Sequence, residues 1–358
     1  MTEDLAAGSS GMSGQRAERA YGPSWLDVAA DWVARQRVPA WAVCIALWIA
    51  LLLPMEITKW SDGTLAFGTF HPIHIVLNGV TVFMLAVCPL LDRVAAQALE
   101  QARPALAMSD AEFEGWRHRL TVTPARPIVV AHAVAVLGIA GGLALFADPA
   151  AARLAAVDAA SIPDLVATGA NAVALSAFLY HTLHQLRQVR ALYAGHVRID
   201  LFQIGPLQAF SRLTGLTAAA LIVANYTMLA AFLAVSPAIA FNPVPLAVTA
   251  VNSITAVAVF FWPLLDLRTR MAAEKRRLLN ENADELRGTF IGRRRLVEND
   301  QIDQAAHLKD VVDILVAERA VLERLPTWPW YASTVRGLGT TLLLPLVLLF
   351  VQTMIERL

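Results

Sequence analysis

The residues able to do chemistry lie inside apolar segments. His71, His74, Asn78 and Thr81 are spaced by three, four and three residues, which sets all four along one face of a helix. Asp164, Thr168 and Asn171 form a similar line, as do Thr249, Asn252 and Ser253, and a further segment carries Asn225, Tyr226 and Thr227. Asn78, Asn171, Asn225 and Asn252 each fall roughly 12–17 Å from the expected outer end of their segments at helical rise. Four helices are therefore expected to meet at one polar layer. A polar group left unpaired in lipid is costly, so these side chains should turn toward the interior of a bundle. Two readings follow. One is a ligand-accessible cavity open to the outer face; the other is interhelical hydrogen bonding that holds the bundle together. His71 with His74, and His132 with His181 and His184, also admit a metal or haem. The alternative is histidines at helix ends with no ligand, and no metal or other cofactor is expected. A haem- or quinone-binding redox protein, or a small-molecule transporter, stands as the alternative to a channel or receptor.

The elements that must position these residues follow from composition. The chain has 358 residues, of which 57% are hydrophobic and 16% charged, and its mean hydropathy is +0.53. A soluble domain sits nearer half apolar and a quarter charged, so the lipid bilayer is the expected solvent. A net charge of zero argues against nucleic acid, which requires a basic face. Cys44 and Cys88 both fall in apolar segments and read as small hydrophobes. No Walker loop, His-Glu-x-x-His, nucleophile elbow, dinucleotide fingerprint or paired-Cys motif occurs, so the common soluble enzyme classes are not expected.

A bilayer core takes about 20 apolar residues per helix. Seven stretches qualify: 39–58, 70–91, 127–147, 162–185, 213–236, 244–267 and 330–353. The fold expected is all-α, a polytopic membrane protein with seven transmembrane helices, a cytoplasmic N-terminus and an outer C-terminus. Arg and Lys support that orientation. They crowd the segments around Arg93 to Arg126, Arg187 to Arg212 and Arg268 to Arg324, while the expected outer loops hold Lys59 and Arg153. Residues 1–20 are polar, without an apolar core or helical period, and are expected to be a disordered cytoplasmic tail with no cleaved leader. Residues 21–37 read as an amphipathic helix in the headgroup plane, with Trp25, Val28, Ala29 and Trp32 on one side and Asp27, Asp31 and Arg35 elsewhere. Residues 38–267 hold six spans with cytoplasmic elbows, one opened by the capping box Ser109 to Glu112. The expected location is the cell's inner (plasma) membrane.

Residues 268–328 form a cytoplasmic helical module, with helices continuing into it from the membrane. Between Arg268 and Arg324 there are 12 basic and 11 acidic residues, a near-neutral mixture that reads as solvated helices. Leu308, Val311, Leu315 and Leu322 lie along one side of its second helix and need an apolar partner, which is either the same chain or a second copy. Residues 329–358 form the seventh span. It is entered through Trp328, Trp330 and Tyr331, an aromatic belt that sets its depth. Arg336, Thr340 and Thr341 follow in its inner half, and Gln352 closes it. Small and hydroxyl residues there permit close packing or line a water path.

The layout resembles the insect odorant and gustatory receptor superfamily of ligand-gated cation channels. The resemblance lies in seven spans, an inner N-terminus, helices extended below the membrane and a last helix split into cytoplasmic and membrane parts. It covers residues 24–358. Of that family's closing motif, Gln352 stands at the Gln, while Pro345, Leu346 and Thr353 stand at the Thr, Tyr and Phe positions. The resemblance implies a homo-oligomer whose cytoplasmic helices assemble the subunits. It also implies a last span that lines the pore, a hinge near Trp328 to Tyr331 and a small-molecule pocket open to the outer face. Arg119-Leu-Thr-Val-Thr-Pro-Ala-Arg126 and Pro326-Thr-Trp-Pro-Trp330 also look like phrases of bacterial multi-pass membrane proteins, which adds no function.

Overall fold

The computed structural model describes residues 21–146, 162–235, 243–298 and 302–355; the expected tail, 1–20, lies outside them, as does the side chain of Gln352. Among these residues every regular element is a helix, and the two β-bridges, Pro23 to Pro124 and Leu106 to Val197, are isolated. Five helical segments are long and apolar enough to cross a membrane: Ala40–Ser61, Pro72–Ala105, Ile162–His196, Ile204–Ala231 and Thr249–Glu298. A shorter apolar helix covers Ala125–Gly138. Val134 and Leu137 on it are 65% and 71% exposed, a cost in water that vanishes against acyl chains.

Helix α1 (Trp25–Arg35) starts at a reciprocal cap. The Ser24 hydroxyl accepts from the Asp27 amide, and the Asp27 carboxylate accepts from the Ser24 amide at 2.7 Å. Leu26 anchors α1 in the core, while Val28 and Trp32 stay exposed beside Asp31 and Arg35, which suits a helix at the headgroups. Asp27 does not face away as its spacing predicts. Its Oδ2 turns inward and accepts from the Thr123 amide at 3.1 Å. Burial pushes the Asp27 carboxyl above its ordinary value, against the opposing pull of its hydrogen bonds from Ser24 and Thr123.

Helices α2 (Ala40–Ser61) and α3 (Pro72–Ala102) are followed by α4 (Asp110–Thr121), opened by the Ser109 to Glu112 capping box. Phe113, Trp116 and Leu120 recur at i, i+3 and i+7 and bury one face of α4, each worth about 1.5–3 kcal/mol relative to exposure. Arg103 and Arg119 lie over the rings of Phe113 and Trp116 at 4.8 and 5.0 Å. Next come α5 (Ala125–Phe146), α6 (Ile162–His196), the short α7 (Ile204–Leu207), α8 (Ser211–Val235) and α9 (Pro243–Phe261). With 35 residues, α6 is about 52 Å long, well beyond a hydrocarbon core of about 30 Å. The buried core gathers where α3, α4, α6 and α8 converge, around Leu91, Leu99, Leu120, Phe178, Tyr193 and Phe210.

A 3-10 turn, Trp262–Leu264, joins α9 to α10 (Leu265–Glu298), and α11 (Ile302–Arg324) folds back along α10. Among the described side chains of α11 the buried apolar ones are Val312, Leu315 and Leu322, and the buried Asn282 donates to the Leu315 carbonyl at 3.0 Å. Leu308 is half-buried, whereas Val311 is exposed. The contact row steps 308, 312, 315, 322, and position 311 lies one residue round the helix from it. Lys275 Nζ donates to the Glu323 and Leu325 carbonyls at 2.6 and 2.8 Å, which satisfies the end of α11.

The final helix, α12 (Ala332–Ile355), packs chiefly on α8. Gly215 permits that approach, because a Cβ there would overlap the Thr334 methyl group. The elbow before α12 is pinned at several points. Trp330 is buried, donates from Nε1 to the Phe260 carbonyl at 3.2 Å and sits among Phe260, Phe261 and Trp328. The Tyr331 amide donates to the Ser211 hydroxyl at 3.0 Å, and Gln208 donates to the Trp328 carbonyl at 3.0 Å. Of the expected aromatic belt, Trp328 and Tyr331 are partly exposed, whereas Trp330 belongs to the core.

Candidate functional site

A cavity of about 570 Å³ lies between α3, α6, α8 and α9. Each helix contributes one face at three- and four-residue steps. Leu77, Val80, Thr81 and Met84 come from α3, and Thr168, Asn171, Leu175 and Leu179 from α6. Leu221, Ala224, Asn225 and Met228 come from α8, and Thr249 and Asn252 from α9. The wall is largely apolar, with a few amides and hydroxyls, a composition common to small-molecule sites.

The polar groups are joined in pairs across neighbouring helices. The Thr81 hydroxyl meets the Asn171 carboxamide oxygen, linking α3 to α6, while Asn171 Nδ2 donates to its own helix at the Ala167 carbonyl, 2.8 Å away. Thr168 donates to the Asp164 carbonyl at 2.7 Å. On the other side Asn252 donates to Asn225 Oδ1 at 3.2 Å, and Asn225 donates to the Thr249 carbonyl at 3.2 Å and to the Ser253 hydroxyl at 3.5 Å. Tyr226 turns away to the Leu342 carbonyl of α12, at 3.3 Å. The same side chains thus fasten the helices and line the space between them.

His71, His74, Asn78 and Asp164 do not line this cavity. Ten residues of helix rotate by about 80° short of whole turns, so a wall begun at His71 has drifted round α3 by Thr81. His71, His74 and Asn78 face α2 instead. There Glu56 is fully buried; it accepts from the His71 amide at 3.3 and 3.4 Å, and its Oε1 lies 2.9 Å from His74 Nδ1. Asn78, also fully buried, donates to the His74 carbonyl at 2.9 Å and contacts Met55 Sδ. Asp164 pairs with Lys59 of α2 at 2.9 Å. Sequence reasoning missed Glu56, although a carboxylate within an apolar run is itself the signal of a functional or paired residue.

No family model, curated protein or solved structure matches the chain. Its chemistry is therefore read from its own geometry. Among the described residues no three His, Cys, Asp or Glu side chains gather as metal ligands. The rings of His71 and His74 stand 4.8 Å apart, with His74 engaged by Glu56. His132 accepts from Trp25 Nε1 at 2.8 Å, which leaves its Nδ1–H to donate to Ser176 at 2.7 Å, so both ring nitrogens are in use. His184 Nε2 lies 3.1 Å from the Arg119 carbonyl and 3.2 Å from the Tyr21 hydroxyl.

His181 lies 2.8 Å through Nδ1 from the Thr123 hydroxyl and 3.4 Å through Nε2 from Asp92. Gln185 donates to Asp92 at 3.2 Å and to the Leu120 carbonyl at 2.9 Å. The order hydroxyl, imidazole, carboxylate is that of an activated nucleophile. Thr123 and His181 are, however, only 1% and 2% exposed, so the hydroxyl is closed to a substrate and the set works as a clamp between α3, α6 and the end of α4.

Of the residues expected at a pore or hinge, Trp328, Trp330 and Tyr331 form the elbow before α12, and Arg336, Thr340 and Thr341 lie along α12. Arg336 and Thr340 are exposed; Arg336 donates to the Ala332 carbonyl at 3.3 Å, Thr340 to the Arg336 carbonyl at 3.0 Å and Thr341 to the Gly337 carbonyl at 2.8 Å.

Proposed function

We propose that this chain is a seven-span receptor of the inner (plasma) membrane, with its N-terminus in the cytoplasm, that binds a small, mostly apolar molecule bearing one or two hydrogen-bonding groups. The observation that carries this reading is the four-helix cavity. Its volume falls within the range of about 300–1,000 Å³ typical of small-molecule sites, and its polar groups sit at helix contacts a guest would disturb. A ligand amide or hydroxyl competing for Asn225, Asn252 or Asn171 changes how α8 and α9 lean on each other, and both helices lead to the cytoplasmic side. Such a ligand shifts a conformational equilibrium only by its difference in affinity for the two states.

The working form we propose is a homo-oligomeric ligand-gated channel with α12 near the pore, as the resemblance to the odorant and gustatory receptor superfamily implies. Val311, Ile314 and Val321 support a contact between subunits, because they leave apolar side chains exposed on a water-facing helix. Leu315 and Leu322 are already occupied within the chain.

The test is a thermal-shift screen of the purified protein in nanodiscs against medium-chain alcohols, ketones and phenols. A ligand at a hundred times its Kd stabilises the fold by about 2.7 kcal/mol. Ala224→Phe, which fills the cavity, should abolish the shift without lowering the basal Tm. A shift that survives in Ala224→Phe would place the ligand elsewhere. Absence of ligand-evoked current in bilayers containing ligand-responsive protein would remove the channel while leaving the receptor.

A further inference from the structure

A second cleft, of about 560 Å³, opens between the first turns of α8 and α12 and shares no lining residue with the ligand cavity. We propose that it holds one anionic phospholipid per chain, with the phosphate at Arg212 and an acyl chain in the slot below. The proposal rests on reading α8 and α12 as membrane spans and not on the ligand cavity.

The lip and the slot differ in chemistry. Arg212, Tyr331, Ser333 and Thr334 supply a cation and hydroxyl groups at the lip. Gly215, Leu216, Ala219, Gly337 and Leu338 continue the slot along about two helix turns, or about 10 Å. Arg212 is exposed and forms no ion pair among the described residues, whereas Arg103 and Arg190 are matched to Asp110 and Asp266. Among the described residues no carboxylate lines the cleft, so its charge is uncompensated.

Depth agrees with this occupant. Partly exposed Trp328 and Tyr331 stand at the lip's level, with Arg268 over the Trp328 ring at 5.0 Å, which is the grouping found where a span meets the headgroups. The slot is open and largely apolar, with Gln101 and Thr341 as its other polar lining: a Cβ on Gly337 would meet no atom within 4 Å, although α8 and α12 touch closely at Gly215 and Thr334. A cationic lip above an empty apolar slot matches a single-tailed reach of a phospholipid better than it matches a second helix.

The experiment is a native mass-spectrometric titration of the full chain with phosphatidylglycerol, phosphatidylcholine or inorganic phosphate. One phosphatidylglycerol per chain should be retained in preference to phosphatidylcholine. Arg212→Ala should weaken that binding by about fivefold to tenfold, as expected for one basic side chain at an anionic headgroup, and Arg212→Lys should restore most of it. Gly337→Leu, which fills the slot without touching the charge, should weaken both lipids. Equal retention of the two lipids, an unchanged affinity in Arg212→Ala, or displacement of the lipid by inorganic phosphate alone would each overturn the proposal. So would disulfide trapping of Ser333→Cys against a second copy in lipid, since the cleft would then be a subunit contact.

Discussion

Two polar regions of this chain use the same residue types and are built differently. In one, Thr123, His181, Gln185 and Asp92 interlock within the packed core. In the other, Thr81, Asn171, Asn225 and Asn252 make comparable bonds around a space of about 570 Å³. Interiors are normally packed as densely as organic crystals, so a polar set that fills its surroundings rigidifies, whereas one that surrounds a cavity leaves room for a guest. The contrast separates the part that holds the helices in place from the part able to respond.

The largest expected effect tests the packed half. Trp330→Ala removes a buried indole and its bond to Phe260 and should cost about 3–5 kcal/mol, read as lost thermal stability of the purified protein. A loss no greater than that of an exposed control such as Trp32→Ala would mean that the elbow is not pinned as described. Next is Glu56→Ala, between α2 and α3. It strips the acceptor from the His71 amide and from His74, and leaving buried donors unpaired costs about 1–3 kcal/mol. Glu56→Gln should retain most of that stability. Equal losses in the two variants would show that the site depends on charge and not on accepted hydrogen bonds.

Thr81→Val removes one interhelical bond beside the cavity and should cost only about 0.5–1 kcal/mol, while changing ligand affinity measurably. If stability fell as far as in Trp330→Ala, the cavity layer would be as rigid as the packed one and the comparison would fail.

The smallest effects concern the two helix caps, which share a design and titrate in opposite directions. At α4, the Ser109 amide and hydroxyl hold the Glu112 carboxyl below its ordinary value. Its stabilisation is present above the ordinary carboxylate range and is lost as pH falls through the lowered value. At α1, burial raises Asp27, so its contribution is present below the ordinary value and is lost as pH rises through the raised one. Hydrogen exchange should therefore show α1 gaining protection as pH falls toward the ordinary carboxylate range, and α4 losing protection only as pH falls through and below that range. Asp27→Asn and Glu112→Gln should each flatten the corresponding trend.

Most helices were legible because apolar runs and caps such as Ser109 to Glu112 are local signals. The polar residues were legible individually and less so as a group. Thr81, Thr168, Asn171, Asn225, Thr249 and Asn252 were assigned to one layer and do line one cavity. His71 and Asn78 were placed with them because a three-four-three spacing resembles a straight stripe, although it winds about 80° round α3. Glu56 was missed for a related reason: it sits in an apolar run, and its partners come from another helix. Trp330 shows the same limit, since an aromatic at the start of a span reads as a belt until the Phe260 carbonyl is seen to receive its N–H. The face of α11 was read one position off at Val311, because position 312 meets the facing helix equally well in sequence.

One consequence follows from α10, a continuous helix of 34 residues and therefore about 51 Å of rigid rod set at the end of α9. A rod of that length converts angle into displacement. A tilt of about 5° at its membrane end moves its far end by about 4 Å, close to the width of a side chain. A guest that alters the lean of α9 by only a few degrees would thus have its effect magnified at the hairpin with α11.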